Sequence, residues 1–295
     1  MNWTIKASLF RIIDVLPFGA SIHYLLQRHV THSLPRRLVD YPRYLRESLD
    51  HWEILKQHVG AGDKLYFEFG AGWDLFHNMV LYCFGIQRQL IVDLNDHMRP
   101  GIVNSVIRHF QVSPPAGALR LPEQLLSTDP RAQLQAYYGI TYLAPSDARA
   151  VRRESGSVGL VSTTNTLEHI PFDDLARIMR EVRRLCGPDA VVSMKIDYSD
   201  HYAHADPEIS PYNFLRFSEA QWARYNTRSH YQNRRRHSHY RQLFLNCGFH
   251  IETERHTRPT DWRRMLEGVK VHPDFQHHGP QELAITSGQF VLRPT

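Results

Sequence analysis

Short apolar runs alternate with helix-like segments through the middle of this chain, and that alternation leaves few architectures open. The runs cover residues 65–69, 89–93, 139–143, 158–162 and 190–196. They are rich in aliphatic, β-branched or aromatic residues and bounded by glycine, proline, serine or aspartate, as buried strands are. Helical patterns lie between them at 75–84, ended by Gly85, and at 97–110, where Pro100-Gly101 disturbs the first turn. The clearest helix places Leu175, Ile178, Met179, Val182 and Leu185 on one face, with Asp173 and Asp174 favouring its N-terminus and Cys186-Gly187-Pro188 ending it. Repeated strand–helix units predict a parallel, doubly wound α/β sheet with its ligand crevice at the C-terminal ends of the strands.

Composition narrows the setting. The 295 residues can bury a full core, as one large domain or one domain with appendages. There is no apolar run of about 18 residues to span a membrane, and the N-terminus lacks the apolar core of a secretory signal. The three cysteines, Cys83, Cys186 and Cys247, are far apart and form no CxxC pair. That argues against a disulfide framework or a structural zinc site and fits a cytoplasmic location. The net charge of +5 suits nucleic acid, an anionic membrane face or a phosphorylated substrate without choosing among them.

Outside the alternating region, Ile5, Leu9, Ile12, Ile13 and Leu16 fall at helical spacing, Pro17-Phe18-Gly19 interrupts them, and Ile22, Leu25 and Leu26 follow. This predicts two helices packed on the domain surface. With Lys6, Arg11, Arg28, Arg36 and Arg37 nearby, the same segment leaves peripheral contact with a membrane open. Residues 42–59 read as one helix with Leu45, Leu49, Trp52, Ile54 and Leu55 near one face, stopped by Gly60-Ala61-Gly62-Asp63. Residues 111–136 form a proline-rich insertion to which no chemistry is assigned.

The first strand ends in Glu68-Phe69-Gly70-Ala71-Gly72. Two closely spaced glycines between a strand and a helix let backbone approach a ligand, with free N–H groups at the helix start. Alone, such a turn is weak evidence. Asp93 closes the second strand about 25 residues after Glu68, where a carboxylate is placed to accept from ribose hydroxyls.

With these residues in place, the chain resembles the class I S-adenosylmethionine-dependent methyltransferases over roughly 63–200. Glu68, Gly70, Ala71 and Gly72 resemble the family's first motif, which wraps the methionine part of the cofactor. Asp93, with Leu94 beside it, resembles the acid that binds the ribose. Asp147 and Ala148 resemble the pair beside the adenine, and Asn165-Thr166-Leu167-Glu168-His169-Ile170 resembles the segment that closes over the methionine end. One departure is plain: Trp73-Asp74 stands where the family has a third small residue. The resemblance implies a Rossmann-like, doubly wound seven-stranded sheet with its last strand antiparallel, here with an N-terminal helical extension. Residues 249–254 and 289–292 suit the closing hairpin, and Cys247 in the turn before it reads as packing. The implied division is an extension or lid at 1–60 and a methyltransferase domain at 61–295, with a substrate-side cap at about 199–245.

The resemblance further implies methyl transfer from S-adenosylmethionine, leaving S-adenosylhomocysteine. The step is an in-line displacement, and an alcohol acceptor also needs a base. The expected base is His201, oriented by Asp197 or Asp200, with His169 as the alternative. Asp197, Asp200 and His201 could instead hold a divalent cation on a vicinal diol, but their spacing is not diagnostic and no metal ligand is assigned. The expected acceptor is a polar small molecule, such as a sugar or glycan hydroxyl or a phosphorylated compound. Two other readings are an RNA methyltransferase using Arg234-Arg235-Arg236 and a catalytically silent scaffold. Nucleic acid is disfavoured because no RNA-binding module is recognisable.

Overall fold

The computed structural model describes residues 2–16, 19–30, 34–59 and 64–295. The predicted breaks at Pro17-Phe18 and Gly60-Ala61-Gly62-Asp63 lie outside the described residues.

Seven strands form one sheet in the order β3-β2-β1-β4-β5-β7-β6. They are β1 (Leu65–Phe69), β2 (Gln89–Val92), β3 (Ile140–Leu143), β4 (Val158–Thr164), β5 (Cys186–Asp197), β6 (Phe249–Thr257) and β7 (Ser287–Pro294). The first five pair in parallel, and β7 runs antiparallel between β5 and β6. This is the doubly wound sheet with an antiparallel last strand that the sequence predicts. The helices in chain order are α1 (Trp3–Val15), α2 (Gly19–His29), α3 (Tyr41–Leu55), α4 (Phe76–Cys83), α5 (Pro100–Val112), α6 (Pro130–Tyr138), α7 (Phe172–Leu185), α8 (Glu219–Trp222), α9 (His237–Asn246), α10 (Trp262–Glu267) and α11 (Pro280–Leu283).

Every residue of β1 is buried, and side-chain alternation along a strand sorts them onto two faces. Phe67 and Phe69 join α7 and α9 on one side, through Leu175, Met179, Val182 and Phe244. Tyr66 joins α3, α4 and α5 on the other, through Leu55, Met79, Val106 and Phe110. A third cluster builds the cap, where Tyr202, Tyr212, Phe214, Leu215 and Trp222 pack with Trp3 and Ala7 of α1.

Two expectations need correcting. The apolar stripe of α1 does not face the domain: Ile5, Leu9, Ile12 and Leu16 are exposed, and Trp3, Ala7 and Ile13 are the buried positions. The docking face is set by the Trp3 ring, centred 4.7 Å from Tyr225, and by its backbone N–H, which donates to Asp206 at 2.8 Å. α3 keeps its predicted face, with Leu55 in the core and Leu45, Leu49, Trp52 and Ile54 packed against it, and adds buried Tyr41, Ser48 and His51. Finally, the arginine cluster is not a surface patch. Arg236 is fully buried and donates to the carbonyls of Tyr198, Leu283 and Ile285. Arg234 is buried too, donating to the carbonyls of Phe214 and Phe217 and pairing with Glu219. Only Arg235 of the three is exposed, so the cluster cannot track a phosphate backbone.

Arg236 thus pins the cap to the sheet. Arg236→Met should leave three buried carbonyls without a donor and cost about 3 kcal/mol or more in urea unfolding. Arg235→Met should stay within about 0.5 kcal/mol of wild type.

Candidate active site

The C-terminal ends of β1, β2 and β4 open onto a cavity of about 400 Å³, within the range of small-molecule and cofactor sites. Its wall includes Gly70 and Gly72 from the first turn, Asp93 and Leu94 after β2, Asp147 and Ala148 after β3, and Asn165 and Thr166 after β4. These eight residues, scattered over the sequence, are brought together as the motif argument expects.

The two glycines are required for different reasons. Gly70 has φ +75°, and a Cβ there would sit 2.3 Å from Thr166 Cγ2, so the turn and the β4 loop can close only over a glycine. Gly72 has φ +76° with open space around it, so its need is conformational. Asn165 also lies in the left-handed region, at φ +51°, which asparagine tolerates better than most residues.

Asp93 is buried, accepts from the Tyr142 hydroxyl at 3.1 Å and lies beside the backbone amides of Gly70 and Ala71, the first of which donates to the Val92 carbonyl at 3.0 Å. Burial pushes its carboxyl up to about 7 despite these neighbours. Ala71 therefore meets Asp93 through its backbone. Glu68 lies behind the turn, not on the cavity. It accepts from Tyr66 Oη at 2.8 Å and Asn78 Nδ2 at 2.7 Å, and burial raises it to about 8. Asp147 stays low, held by hydrogen bonds from Arg149, which also reaches Asp174 at 2.6 Å.

Trp73-Asp74, the departure from the family pattern, anchors the N-terminal extension. The Trp73 ring stacks on Tyr24 of α2 at 5.4 Å and lies 4.6 Å from His97. Asp74 accepts from Arg36 at 2.6 and 3.0 Å.

On the acceptor side the four expected residues separate. His169 lines the cavity, and His201 lies behind it, ring centroids 4.8 Å apart. Asp197 Oδ2 sits 3.6 Å from Nε2 of both His201 and His204. Burial works against the Asp197 charge, but His201 and Ser199 hold its carboxyl down to about 2. Asp200 is structural: it is buried and accepts from Asn213 Nδ2 at 2.9 Å and the Tyr202 amide at 2.8 Å. For His169, desolvation by the surrounding chain, with His201 adding to it, lowers the pKa to about 4.

Sequence reasoning missed a buried polar chain beneath the turn. His51 Nδ1 lies 2.7 Å from Ser193 Oγ and its Nε2 3.1 Å from Thr164 Oγ1. His77 Nε2 lies 2.9 Å from Ser162 Oγ, which bonds Tyr66 Oη at 2.8 Å and so reaches Glu68. The available signal was Ser48 and His51 interrupting the apolar positions of α3.

No family model matches the chain, and no curated protein sequence does either. Among solved structures, it is similar to the [4+2]-cyclase SpnF, at 9% identity over 84% of this chain and 81% of that one, with a TM-score of 0.49. It is also similar to the PH0226 protein from Pyrococcus horikoshii OT3, at 14% identity over 91% and 98% of the two chains, with a TM-score of 0.49. An S-adenosylmethionine-dependent methyltransferase from Mesorhizobium loti matches at 14% identity over 82% and 97%, with a TM-score of 0.44. The strand order, the antiparallel β7 and the glycine turn after β1 are those of the class I S-adenosylmethionine-dependent methyltransferases, and the chain has that fold.

The buried acids set a pH dependence. Glu68 and Asp93 titrate near 8 and 7 when folded against ordinary values of 4.5 and 3.8, so the folded state holds more protons and stability falls as pH rises through that window. His77, lowered to about 3, and His169, His237 and His239, lowered to about 4, act oppositely, adding stability until pH is about a unit above their ordinary 6.5. The melting temperature of the ligand-free protein should therefore fall between about pH 7.5 and 8.5, and Glu68→Gln should make that fall shallower.

Proposed function

We propose that the chain is an S-adenosylmethionine-dependent methyltransferase acting on a hydroxyl of a polar small molecule, such as a sugar. The observation that carries this is the convergence of four separate sequence motifs on one cavity. The residues present suit the cofactor. The Gly70 turn leaves no room for a Cβ, so backbone forms the wall against the methionine part. Asp93 suits the ribose hydroxyls, and Asp147 with Ala148 suits the adenine edge. Asn165 and Thr166 close the methionine end, with Thr166 Oγ1 lying 3.2 Å from the Gly70 carbonyl.

When bound, the cofactor supplies the methyl group on a positive sulfonium, ready for in-line displacement. The chain's own task is to align the acceptor and exclude water. The group of His169, His201 and Asp197 is assigned to the acceptor hydroxyl and its proton. Asp200 is left out of that assignment because its carboxylate is engaged within the cap. The polar, histidine-rich lining of this side favours a hydroxylated acceptor over an apolar one. The burial of Arg234 and Arg236 removes the basis for RNA.

Calorimetry with S-adenosylmethionine and S-adenosylhomocysteine tests this. Wild type should bind both, and Asp93→Ala should weaken each at least tenfold. Because ligand hydroxyls favour the ionised carboxylate, affinity should rise with pH up to about 7 and then level off. No binding of either compound would overturn the proposal. Binding without transfer to any of a broad panel of hydroxylated acceptors would favour the silent scaffold.

A further inference from the structure

We infer that Glu168, His169 and His201 form a binding site for a divalent transition-metal ion at the edge of the cavity. Each offers one donor atom, and the three atoms all lie within 4.8 Å of one another. They come from the ends of two adjacent parallel strands, Glu168 and His169 after β4 and His201 after β5.

Two of the three side chains carry buried atoms that nothing satisfies. Glu168 is 2% exposed, and its Oε1 lies 3.3 Å from the Asp197 amide. Its Oε2, like His201 Nε2, is buried without a hydrogen-bond partner among the described residues. Such atoms are costly and call for an explanation. The third ligand is oriented for the task. His169 Nδ1 lies 2.8 Å from the Tyr231 carbonyl, which can only accept. In the neutral ring Nδ1 therefore carries the hydrogen, leaving the Nε2 lone pair to a metal. The loop that carries both residues is clamped from the cap: Asn233 donates to the carbonyls of Leu167 and Ile170 at 2.9 Å, and its amide donates to the Glu168 carbonyl at 2.8 Å. Asp197, 3.6 Å from His201 Nε2, supplies an outer carboxylate.

Two imidazoles and one carboxylate suit zinc, cobalt or a similar ion better than magnesium or calcium, which prefer all-oxygen shells. Donors around a tetrahedral ion with bonds of about 2.0–2.1 Å lie about 3.4 Å apart. The site must therefore close by up to about 1.4 Å, with His201 Nε2 exchanging its 3.6 Å pairing with Asp197 for the ion. Three protein ligands leave a position open. His169 alone of the three lines the cavity, so that position faces the acceptor and suits an oxygen donor. This last consequence rests on the proposed function; ion binding does not.

A second trio, His239, His277 and His278, also has donor atoms within 4.8 Å of one another. It lacks a carboxylate, and His239 Nδ1 already accepts from the Arg236 amide at 3.2 Å. It serves as the control. Chelator-stripped full-length protein should be titrated with Zn²⁺ by calorimetry and with Co²⁺ by visible absorption. One Zn²⁺ per chain should bind at the inferred site, with Co²⁺ d–d bands. Glu168→Gln and His201→Gln should each weaken binding at least tenfold while the far-UV circular dichroism stays that of wild type. His278→Ala should leave it unchanged. Asp93→Ala should lose S-adenosylhomocysteine yet keep Zn²⁺, so the two proposals fail separately. Wild type without Zn²⁺ binding, unchanged binding in both Glu168→Gln and His201→Gln, or loss of binding in His278→Ala would overturn the inference.

Discussion

Everything at the cavity depends on a contact too close for any side chain at one position. The Gly70 turn and the Thr166 side chain meet where a Cβ would lie 2.3 Å from Thr166 Cγ2. That approach brings the end of β1 against the end of β4. β2 joins the same junction through the Gly70 amide, which donates to the Val92 carbonyl at 3.0 Å. Three strand ends are thus fixed relative to one another before any ligand arrives, which is what preorganisation of a site requires. Below them the chain from His77 through Ser162 and Tyr66 to Glu68 is a connected polar path in an otherwise apolar layer. Such networks specify one arrangement more sharply than apolar packing does.

The N-terminal extension packs beside the same turn. Tyr24 stacks on Trp73 directly after the glycine turn, and Arg36 holds Asp74. At its other end α1 inserts Trp3 into the aromatic cluster of the cap. The extension therefore touches both the turn and the cap. In this light Trp73-Asp74 is no damaged motif. Two residues larger than the usual small one provide the seat for a segment of this chain. The apolar stripe left outward on α1 follows from the same choice, because the aromatic and aspartate partners in the cap claim the opposite face.

What was legible in the sequence follows physical range. The strands, the glycine turn and Asp93 were readable because their spacing along the chain fixes their place at strand ends, whereas Asp147 and the Asn165-Thr166 pair were readable only through the family resemblance. Apolar periodicity located α7 and the core face of α3 correctly because both turn aliphatic residues to the core. It misjudged α1, whose buried face contains Trp3 with an amide partner, and gave no sign of Ser48 and His51 on α3. The arginine run gave no sign of burial. Whether a guanidinium faces water or three backbone carbonyls depends on residues such as Leu283 and Ile285, some 50 positions away. Asp200 and Asp197 likewise look equivalent in sequence, and only the cap shows that one is consumed by Asn213 and the other left toward histidines.

The buried acids reveal how the chain divides its charges. Asp74 and Asp147 sit beside arginines, Asp74 away from the cavity wall and Asp147 on it. Glu68, Asp93 and Glu168 are buried with no arginine or lysine partner among the described residues, and all three are pushed up in pKa. Each lies at or just behind the ends of β1, β2 and β4, around one cavity. A buried carboxyl without a cation destabilises the folded state unless a bound group supplies what it lacks. Hydroxyl donors would serve Asp93, and a metal ion would serve Glu168. A binder that relieves these groups stabilises the fold in proportion to the logarithm of its concentration over its dissociation constant. Folding strain and ligand affinity at this site are therefore coupled, and three of the least comfortable carboxyls gather at the strand ends around the cavity, Asp200 in the cap being another.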